Sequence, residues 1–273
     1  MTGLAGVARG LLLAVLASLA LSAATHARPL TFAFGDHNEA PFALVDGGQL
    51  KGGFALEFGR AIAARLGREV AFRFVPRNRI TAEITAGSVD AYCLAAQPYY
   101  PTFAADRFTQ ALFSDQDIVL LSAGLRGPAD MTSLVGARVG TVLGFLYPPV
   151  LEALFSTGGA ERIDARNADG NLRKLLGGRL DAVILPLAAW RLALSRDPSL
   201  AGAVRPDFIS VAVRERVCLV SPSSPVTVPE MNMAIQSLAA DGTLPAMIRA
   251  MGLDLPGGQS ASMPGPVPAP ARR

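Results

Sequence analysis

The spacing of apolar residues switches along the chain between the periods of a helix and of a strand. Apolar residues recur every three or four positions over residues 54–66, and Gly67 follows, which predicts a helix and its end. Residues 69–75 alternate and predict a strand, and residues 90–96 predict a buried one. Between them, residues 79–86 predict a short helix. Because helices and strands alternate, we expect an α/β fold with mainly parallel sheets flanked by helices.

A repeated unit predicts that this arrangement is built twice. Residues 84–94 read ITAGSVDAYCL, and residues 175–185 read LLGGRLDAVIL. Each segment ends a helix at glycine, places Asp-Ala after a short connector and enters an apolar strand. Asp90 and Asp181 precede their strands, so we interpret them as turn residues that hydrogen-bond locally. The chain is therefore predicted to form two related lobes.

Further strands are predicted around these units. Residues 30–35 form the first strand, and residues 136–145 combine a strand with a glycine turn. Residues 117–122 are predicted to cross to the second lobe, and residues 208–213 to return from it. We expect residues 214–217 to form a turn after the returning strand.

The two ends of the chain differ from the rest. Residues 1–27 place one charge, Arg9, before an apolar run over residues 11–21 and a set of small residues, in the order of a secretory signal. We expect cleavage after Ala27, with cleavage after Ala24 or an uncleaved anchor as alternatives, and hence a periplasmic protein. Residues 256–273 are rich in proline, glycine, alanine and serine without apolar periodicity, and we predict a disordered tail.

Composition excludes several partners and cofactors. The chain carries 25 Lys and Arg against 22 Asp and Glu, so its charge of +3 indicates neither a nucleic-acid partner nor a membrane surface. Two cysteines, Cys93 and Cys218, are too few for a metal site, and we expect no cofactor. In an exported protein they either form a disulfide between neighbouring strands or pack as buried free thiols.

Loops that follow predicted strands supply candidate binding residues. In open α/β sheets, ligands bind beyond the carboxyl ends of the strands. Arg77 and Arg79 open a helix there and suit an anionic group; the alternative is a solvated cap. Gln97 and Tyr99 follow the next strand and suit a pocket wall. His37 has no evident metal or catalytic partner, and we interpret it as a surface or loop residue.

Four short segments carry a resemblance to a known family. The segments EAPF (residues 39–42), GGF (52–54), RLG (65–67) and GSVD (87–90) follow one another in this order. The chain thus resembles the family 3 extracellular solute-binding proteins, the amino-acid-binding type of bacterial uptake transporters. The resemblance implies two lobes joined by a two-strand hinge.

We assign the lobes by combining that resemblance with the predicted strands. Residues 28–117 and 206–255 are expected to form the first lobe, and residues 118–205 the second. The hinge would allow the lobes to close on a ligand by bending.

The resemblance also implies site residues and two departures from the family. It suggests that Phe42 stacks on the ligand, although Phe42 could simply fill the lobe, and that the turn of Gly144 and Phe145 reaches the ligand through backbone N–H groups. Thr102 falls near the position of the arginine that binds an amino acid's carboxylate. Pro186 replaces the aspartate that binds its ammonium group. A free α-amino acid would therefore lack its usual charged partners.

These observations predict a non-enzymatic, monomeric periplasmic protein. It would capture a small polar solute, amino-acid-like or a carboxylate, and deliver it to the membrane permease of an ATP-driven (ABC) importer. One alternative is a binding module recognised by a membrane sensor. Another is a cyclic-acid dehydratase, which would need a general acid or base that the predicted loops supply only through Asp36, His37 and Glu39.

Overall fold

A computed structural model describes residues 28–253. The predicted signal peptide, residues 1–27, and the predicted tail, residues 256–273, lie outside these residues. Within the described range, no helix combines the length and the apolar character that crossing a membrane requires.

The described chain alternates strands with helices, as the apolar pattern predicts. The strands are β1 (Leu30–Phe34), β2 (Leu44–Asp46), β3 (Gln49–Gly52), β4 (Val70–Phe74), β5 (Ala91–Ala95), β6 (Phe113–Ser122), β7 (Arg138–Val142), β8 (Glu161–Ala165), β9 (Ala182–Pro186) and β10 (Val204–Val220). The helices are α1 (Phe54–Arg65), α2 (Ile80–Thr85), α3 (Pro149–Ser156), α4 (Ala168–Leu176), α5 (Leu187–Arg196), α6 (Val228–Ala240) and α7 (Thr243–Ala250).

Eight strands form one continuous sheet in the order β4-β1-β5-β10-β6-β9-β7-β8. Pairing is parallel within β4-β1-β5 and within β9-β7-β8. The two halves meet at β6 and β10, which pair antiparallel with each other and with their outer neighbours β9 and β5. We call the β4-β1-β5 half the first lobe, the β9-β7-β8 half the second lobe, and β6 with β10 the hinge. The expected α/β class and two-lobed fold are confirmed.

The second lobe buries both faces of its sheet. Ile118 and Leu120 of β6 pack into one apolar cluster, whereas the alternate residues Val119 and Leu121 pack into another. This is the period of two that a strand imposes. The first lobe has a single large cluster, centred on Phe58, Phe113 and other fully buried side chains. Trp190 of α5 lies in the second lobe's core.

The hinge is longer than the sequence pattern indicates. The predicted turn over residues 214–217 is wrong, because β10 runs without interruption from Val204 to Val220. Its pairing with β6 continues until Arg216 faces Phe113, and Val217 then pairs with Ala95 of β5. Three consecutive charged residues at positions 214–216 favour a turn when only the sequence is considered. In the structure they lie within the strand, where successive side chains point to opposite faces of the sheet.

The two cysteines form a disulfide in the structure. Cys93 lies on β5 and Cys218 on the neighbouring β10. Of the two alternatives that the sequence leaves open, the structure therefore has the bridge. It ties the hinge to the first lobe and has no counterpart in the second, since the chain has only two cysteines.

Candidate functional site

A small cavity of about 50 Å³ lies where the two lobes meet. Its walls come from the carboxyl ends of the strands and the loops that follow them, the position expected for a ligand in an open α/β sheet. The lining residues are His37, Asn38, Glu39, Phe42, Arg77, Tyr92, Leu94, Ala96, Tyr99 and Tyr100 of the first lobe, Asp117, Arg214 and Arg216 of the hinge, and Val142, Phe145, Tyr147, Ala168, Ile184, Leu185 and Pro186 of the second lobe.

A wider cleft of about 610 Å³ adjoins this cavity. The two spaces share Asn38, Glu39, Ala168 and Leu185, so these residues lie between them. The cavity is closed on this side by a contact between the lobes: the backbone N–H of Ala168, at the start of α4, donates to Glu39 Oε2 at 3.3 Å.

Arg77 provides the cavity with a positive charge. It follows β4 in a short 3₁₀ turn before α2, and its guanidinium lies 4.9 Å from the ring centre of Tyr100 and 5.2 Å from that of Phe145. Tyr100 belongs to the first lobe and Phe145 to the second, so the arginine is held between aromatic rings of both lobes. Within residues 28–253, no carboxylate lies within ion-pairing distance of Arg77.

The hinge carries two further arginines, each with a carboxylate. Asp115 and Asp117 are two residues apart on β6, and Arg214 and Arg216 are two apart on β10, so the four side chains share one face of the ladder. Arg216 Nη2 donates to Asp115 Oδ2 at 2.6 Å. Arg214 pairs diagonally with Asp117, and both side chains are 7% exposed. The Nη2 of Arg214 is buried without a hydrogen-bond partner in the described chain.

Glu39 has an unusual protonation equilibrium. Burial raises its pKa to about 7; the Ala168 N–H acts against this, and the nearby charge of Asp115 adds to it. Near neutral pH, Glu39 is therefore a mixture of the neutral acid and the carboxylate.

His37 lies in the predicted loop but not at the surface. It is 3% exposed and lines the cavity, so of the surface or loop position that the sequence predicts it has the loop position only. Burial lowers its pKa to about 3, with contributions from the charges of Arg77 and Arg216, so the imidazole is neutral. Its Nε2 lies 3.4 Å from the hydroxyl of Tyr92, which accepts a hydrogen bond from Asn38. The ring fills space beside Phe145, with 6.2 Å between ring centres.

Four of the eight predicted ligand residues line the cavity: Phe42, Arg77, Tyr99 and Phe145. Phe42 is 5% exposed and stacks on Phe113 at 5.9 Å between ring centres, so it fills the first lobe while forming part of the cavity wall.

The other four predicted residues do not line the cavity. The side chain of Arg79 is 65% exposed and pairs with Glu83 at 2.7 Å. Gln97 and Thr102 are exposed. Gly144 lies beside Arg77 and Asn78 of the facing lobe, and its φ of +79° is a left-handed conformation that favours glycine.

Sequence reasoning missed the hinge arginines and their partners. The signal was present as Asp-x-Asp at residues 115–117 and Arg-x-Arg at residues 214–216. Such a spacing places side chains on one face only if the segment is a strand, and the turn predicted for residues 214–217 concealed it. Among the described residues, no group of His, Cys, Asp and Glu side chains could hold a metal ion.

Solved structures share this architecture. An ancestral arginine-binding protein bound to arginine superposes with a TM-score of 0.69 at 19% identity, over 83% of this chain and 99% of that one. An arginine-specific periplasmic binding protein of Salmonella typhimurium gives 0.66 at 18%, over 82% and 99%. The ancestral amino-acid-binding protein AncCDT-1, described as a precursor of cyclohexadienyl dehydratase, gives 0.64 at 17%, over 82% and 94%.

The sequence of the chain matches one protein family. No curated protein matches the chain. Residues 32–251 match the family described as bacterial extracellular solute-binding proteins, family 3. This match spans both lobes and the hinge, and it contains every residue that lines the cavity. The chain therefore belongs to the family 3 bacterial extracellular solute-binding proteins.

Proposed function

We propose that this protein is a periplasmic binding protein that captures a small anionic solute between its lobes and delivers it to the permease of an ABC importer. The family binds small solutes outside the cytoplasm, and the related structures named above are binding proteins for amino acids. The predicted secretory signal at residues 1–27 supports export. Recognition by a membrane sensor is the alternative fate of the loaded protein.

The observation that supports an anionic solute is the guanidinium of Arg77, which has no carboxylate partner among residues 28–253. A buried or half-buried charge without a partner is unfavourable, and an arginine fork matches a carboxylate geometrically. The rings of Tyr100 and Phe145 fix the guanidinium beside the cavity and limit its alternative positions. A bound carboxylate would thus contact a preorganised donor and both lobes at once.

Binding, rather than catalysis, is the proposed role of the cavity. Glu39 is already an acceptor for the Ala168 N–H, Asp117 pairs with Arg214, and His37 is neutral and packed between aromatic rings. Glu39 and Asp117 therefore each have an interaction that a general acid or base would have to give up. The pKa of His37, lowered to about 3 by burial, makes its imidazole a weak base.

A thermal-shift screen of the mature protein tests this proposal. A ligand that binds only the folded state raises the melting temperature. The panel contains lactate, glutarate, 3-phenylpropanoate and inorganic phosphate, and the uncharged amides of the three carboxylates serve as controls. We expect at least one carboxylate to shift the melting temperature while its amide does not. Arg77→Gln should weaken that binding by about 10- to 100-fold, the range of a charge-assisted hydrogen bond.

Arg79→Gln is the matched control, because Arg79 is two residues away, exposed and paired outside the cavity. It should bind the same carboxylate as the unmodified protein does. Equal losses in the two variants, or no shift with any anion, would contradict the proposal.

A further inference from the structure

The charged groups that line the cavity differ in whether they already have partners in the protein. Its walls contain two carboxylates, Glu39 and Asp117, and three guanidinium groups, Arg77, Arg214 and Arg216. Arg216 is engaged by Asp115, behind the wall. What a ligand meets therefore depends on whether the two carboxylates of the wall are free.

Asp117 is not free. It faces Pro186 in the β6–β9 register, at the carboxyl end of β9, where its side chain borders the second lobe's part of the cavity. Arg214 reaches it diagonally across the hinge, and the pair is almost completely buried. The guanidinium of Arg214 thus occupies the position beside Asp117 that the ammonium group of a ligand would need. Breaking a buried ion pair is strongly unfavourable, so a ligand ammonium cannot readily displace it.

Glu39 is not free either. Its carboxylate accepts from the N–H of Ala168, at the positive end of α4. A ligand ammonium at Glu39 would have to approach that helix terminus and break the contact that joins the lobes. Both anionic groups of the wall are therefore occupied by groups of the protein itself.

Donors remain available. Arg77 has no carboxylate partner in the described chain, and Nη2 of Arg214 is buried without an acceptor. The ring of Tyr99 lies 4.5 Å from the Arg214 guanidinium and restricts its position. The site can therefore receive ligand oxygen atoms at two places, whereas both carboxylates of its wall already interact with groups of the protein.

We propose that Arg214 acts as a built-in cation that fills the ammonium position, so that the protein selects carboxylates without an amino group, such as hydroxy or unsubstituted acids, against the corresponding α-amino acids. This inference rests on the proposed function, since it assumes that Arg77 binds a carboxylate. It separates the chain from the structural relatives named above, whose descriptions name arginine or amino acids as ligands.

Matched ligand pairs test the inference in the unmodified mature protein. Calorimetric titrations compare lactate with alanine, 3-phenyllactate with phenylalanine, and 2-hydroxyglutarate with glutamate, so that only the α-substituent changes within a pair. For each pair that binds, we expect the hydroxy acid to bind at least about tenfold more tightly, because the amino acid would bury a charge without a partner.

Arg214→Gln tests the mechanism by releasing Asp117. We expect this variant to gain affinity for the amino acid of the pair and to lose it again in Asp117→Asn/Arg214→Gln. Arg205→Gln is the control, because Arg205 is also an arginine of β10 in an ion pair, with Asp207, but lies outside the cavity. It should keep the selectivity of the unmodified protein.

The outcomes separate this inference from the proposed function. Arg77-dependent binding of amino acids as tight as that of the hydroxy acids overturns the inference and leaves anion capture intact. A folded Arg214→Gln variant without any gain for amino acids also overturns it. Failure of all anions to bind the unmodified protein overturns both. Should Arg214→Gln not fold, the selectivity of the unmodified protein decides alone.

Discussion

The two lobes contribute different chemistry to the same cavity. The first lobe supplies Arg77, Glu39, His37 and the hydroxyl groups of three tyrosines, and the hinge supplies the paired arginines. The second lobe contributes no charged side chain among the described lining residues, and its Tyr147 hydroxyl already accepts from the N–H of Val142. The first lobe and hinge thus carry the charge, and the second lobe carries an apolar cover.

This difference suggests an order of events on binding. A solute's anionic group would first contact Arg77 on the first lobe, since that is where the unpaired charge lies. The second lobe would then exclude water with Phe145 and bring its aromatic ring against the guanidinium. Excluding water strengthens the ion pair that is already formed. The first lobe would therefore recognise the anionic group, and the second lobe would close the cavity over it.

The largest expected effect concerns stability and depends on the disulfide, which joins the first lobe to the hinge and has no counterpart in the second lobe. Cys93→Ser/Cys218→Ser removes the disulfide of the first lobe, which closes a segment with a sequence separation of 125 residues. We expect a loss of about 2–5 kcal/mol in the free energy of unfolding, measured by denaturant titration. A reductant should destabilise the unmodified protein in the same way and leave the variant unchanged. Equal stability of both proteins would contradict a structural role of the bridge.

Phe145→Ala tests the cover that the second lobe provides. The substitution removes the ring that faces Arg77 but leaves the first lobe unaltered. We expect carboxylate affinity to fall by about threefold, equivalent to a cation–π contribution of about 0.7 kcal/mol, with little change in melting temperature. Phe155→Ala, which removes a ring of the same lobe outside the cavity, is the control and should keep the affinity. A loss as great as that of Arg77→Gln would mean that the second lobe also carries recognition.

A further expected effect is a change in the pH dependence of stability at Glu39. Its pKa of about 7 in the folded protein lies above the ordinary value of 4.5, so the folded state binds the proton more tightly. The stability contributed by Glu39 is fully present below about pH 4.5 and is lost as pH rises through 7.

Glu39→Gln cannot titrate but keeps an oxygen for the Ala168 N–H. Its melting temperature should match that of the unmodified protein near pH 5 and exceed it near pH 8. Parallel curves from pH 5 to 8 would show that the carboxyl group does not titrate differently on folding.

The periodicity of apolar residues predicts much of the fold, because a helix or a strand can be recognised from a short stretch of sequence. The helix before Gly67, the strand that begins at Ala91 and the duplicated Asp-Ala unit are local patterns. The duplication extends to contacts: Asp90 accepts from the N–H of Thr31 and pairs with Arg28, while Asp181 accepts from the N–H of Arg138 and pairs with its side chain. Both aspartates tie a strand to its neighbour, so the prediction of local turn hydrogen bonding is wrong: their partners are separated from them by 43 to 62 residues.

The candidate site was less accessible to sequence reasoning. Arg77 and Arg79 have the same side chain and flank the same turn, yet Arg77 lines the cavity whereas Arg79 is exposed and pairs with Glu83. The two arginines are two positions apart on a 3₁₀ turn, so their side chains point in different directions. No local sequence pattern indicates which of these directions faces the second lobe. The proximity of Phe145 to Arg77 likewise requires two segments that are far apart in sequence.

The sequence by itself therefore determined the α/β class, the two lobes, the family and the loops from which the cavity is built. Those features depend on hydrophobic period and on glycine and proline positions, which act over a few residues. Only the tertiary structure decided that Arg214 pairs with Asp117, that Glu39 meets Ala168 and that Arg77 has no carboxylate partner in the part of the chain that the structure describes. Charge pairing depends on distances between strands and lobes, and these distances are set by register and packing rather than by sequence separation.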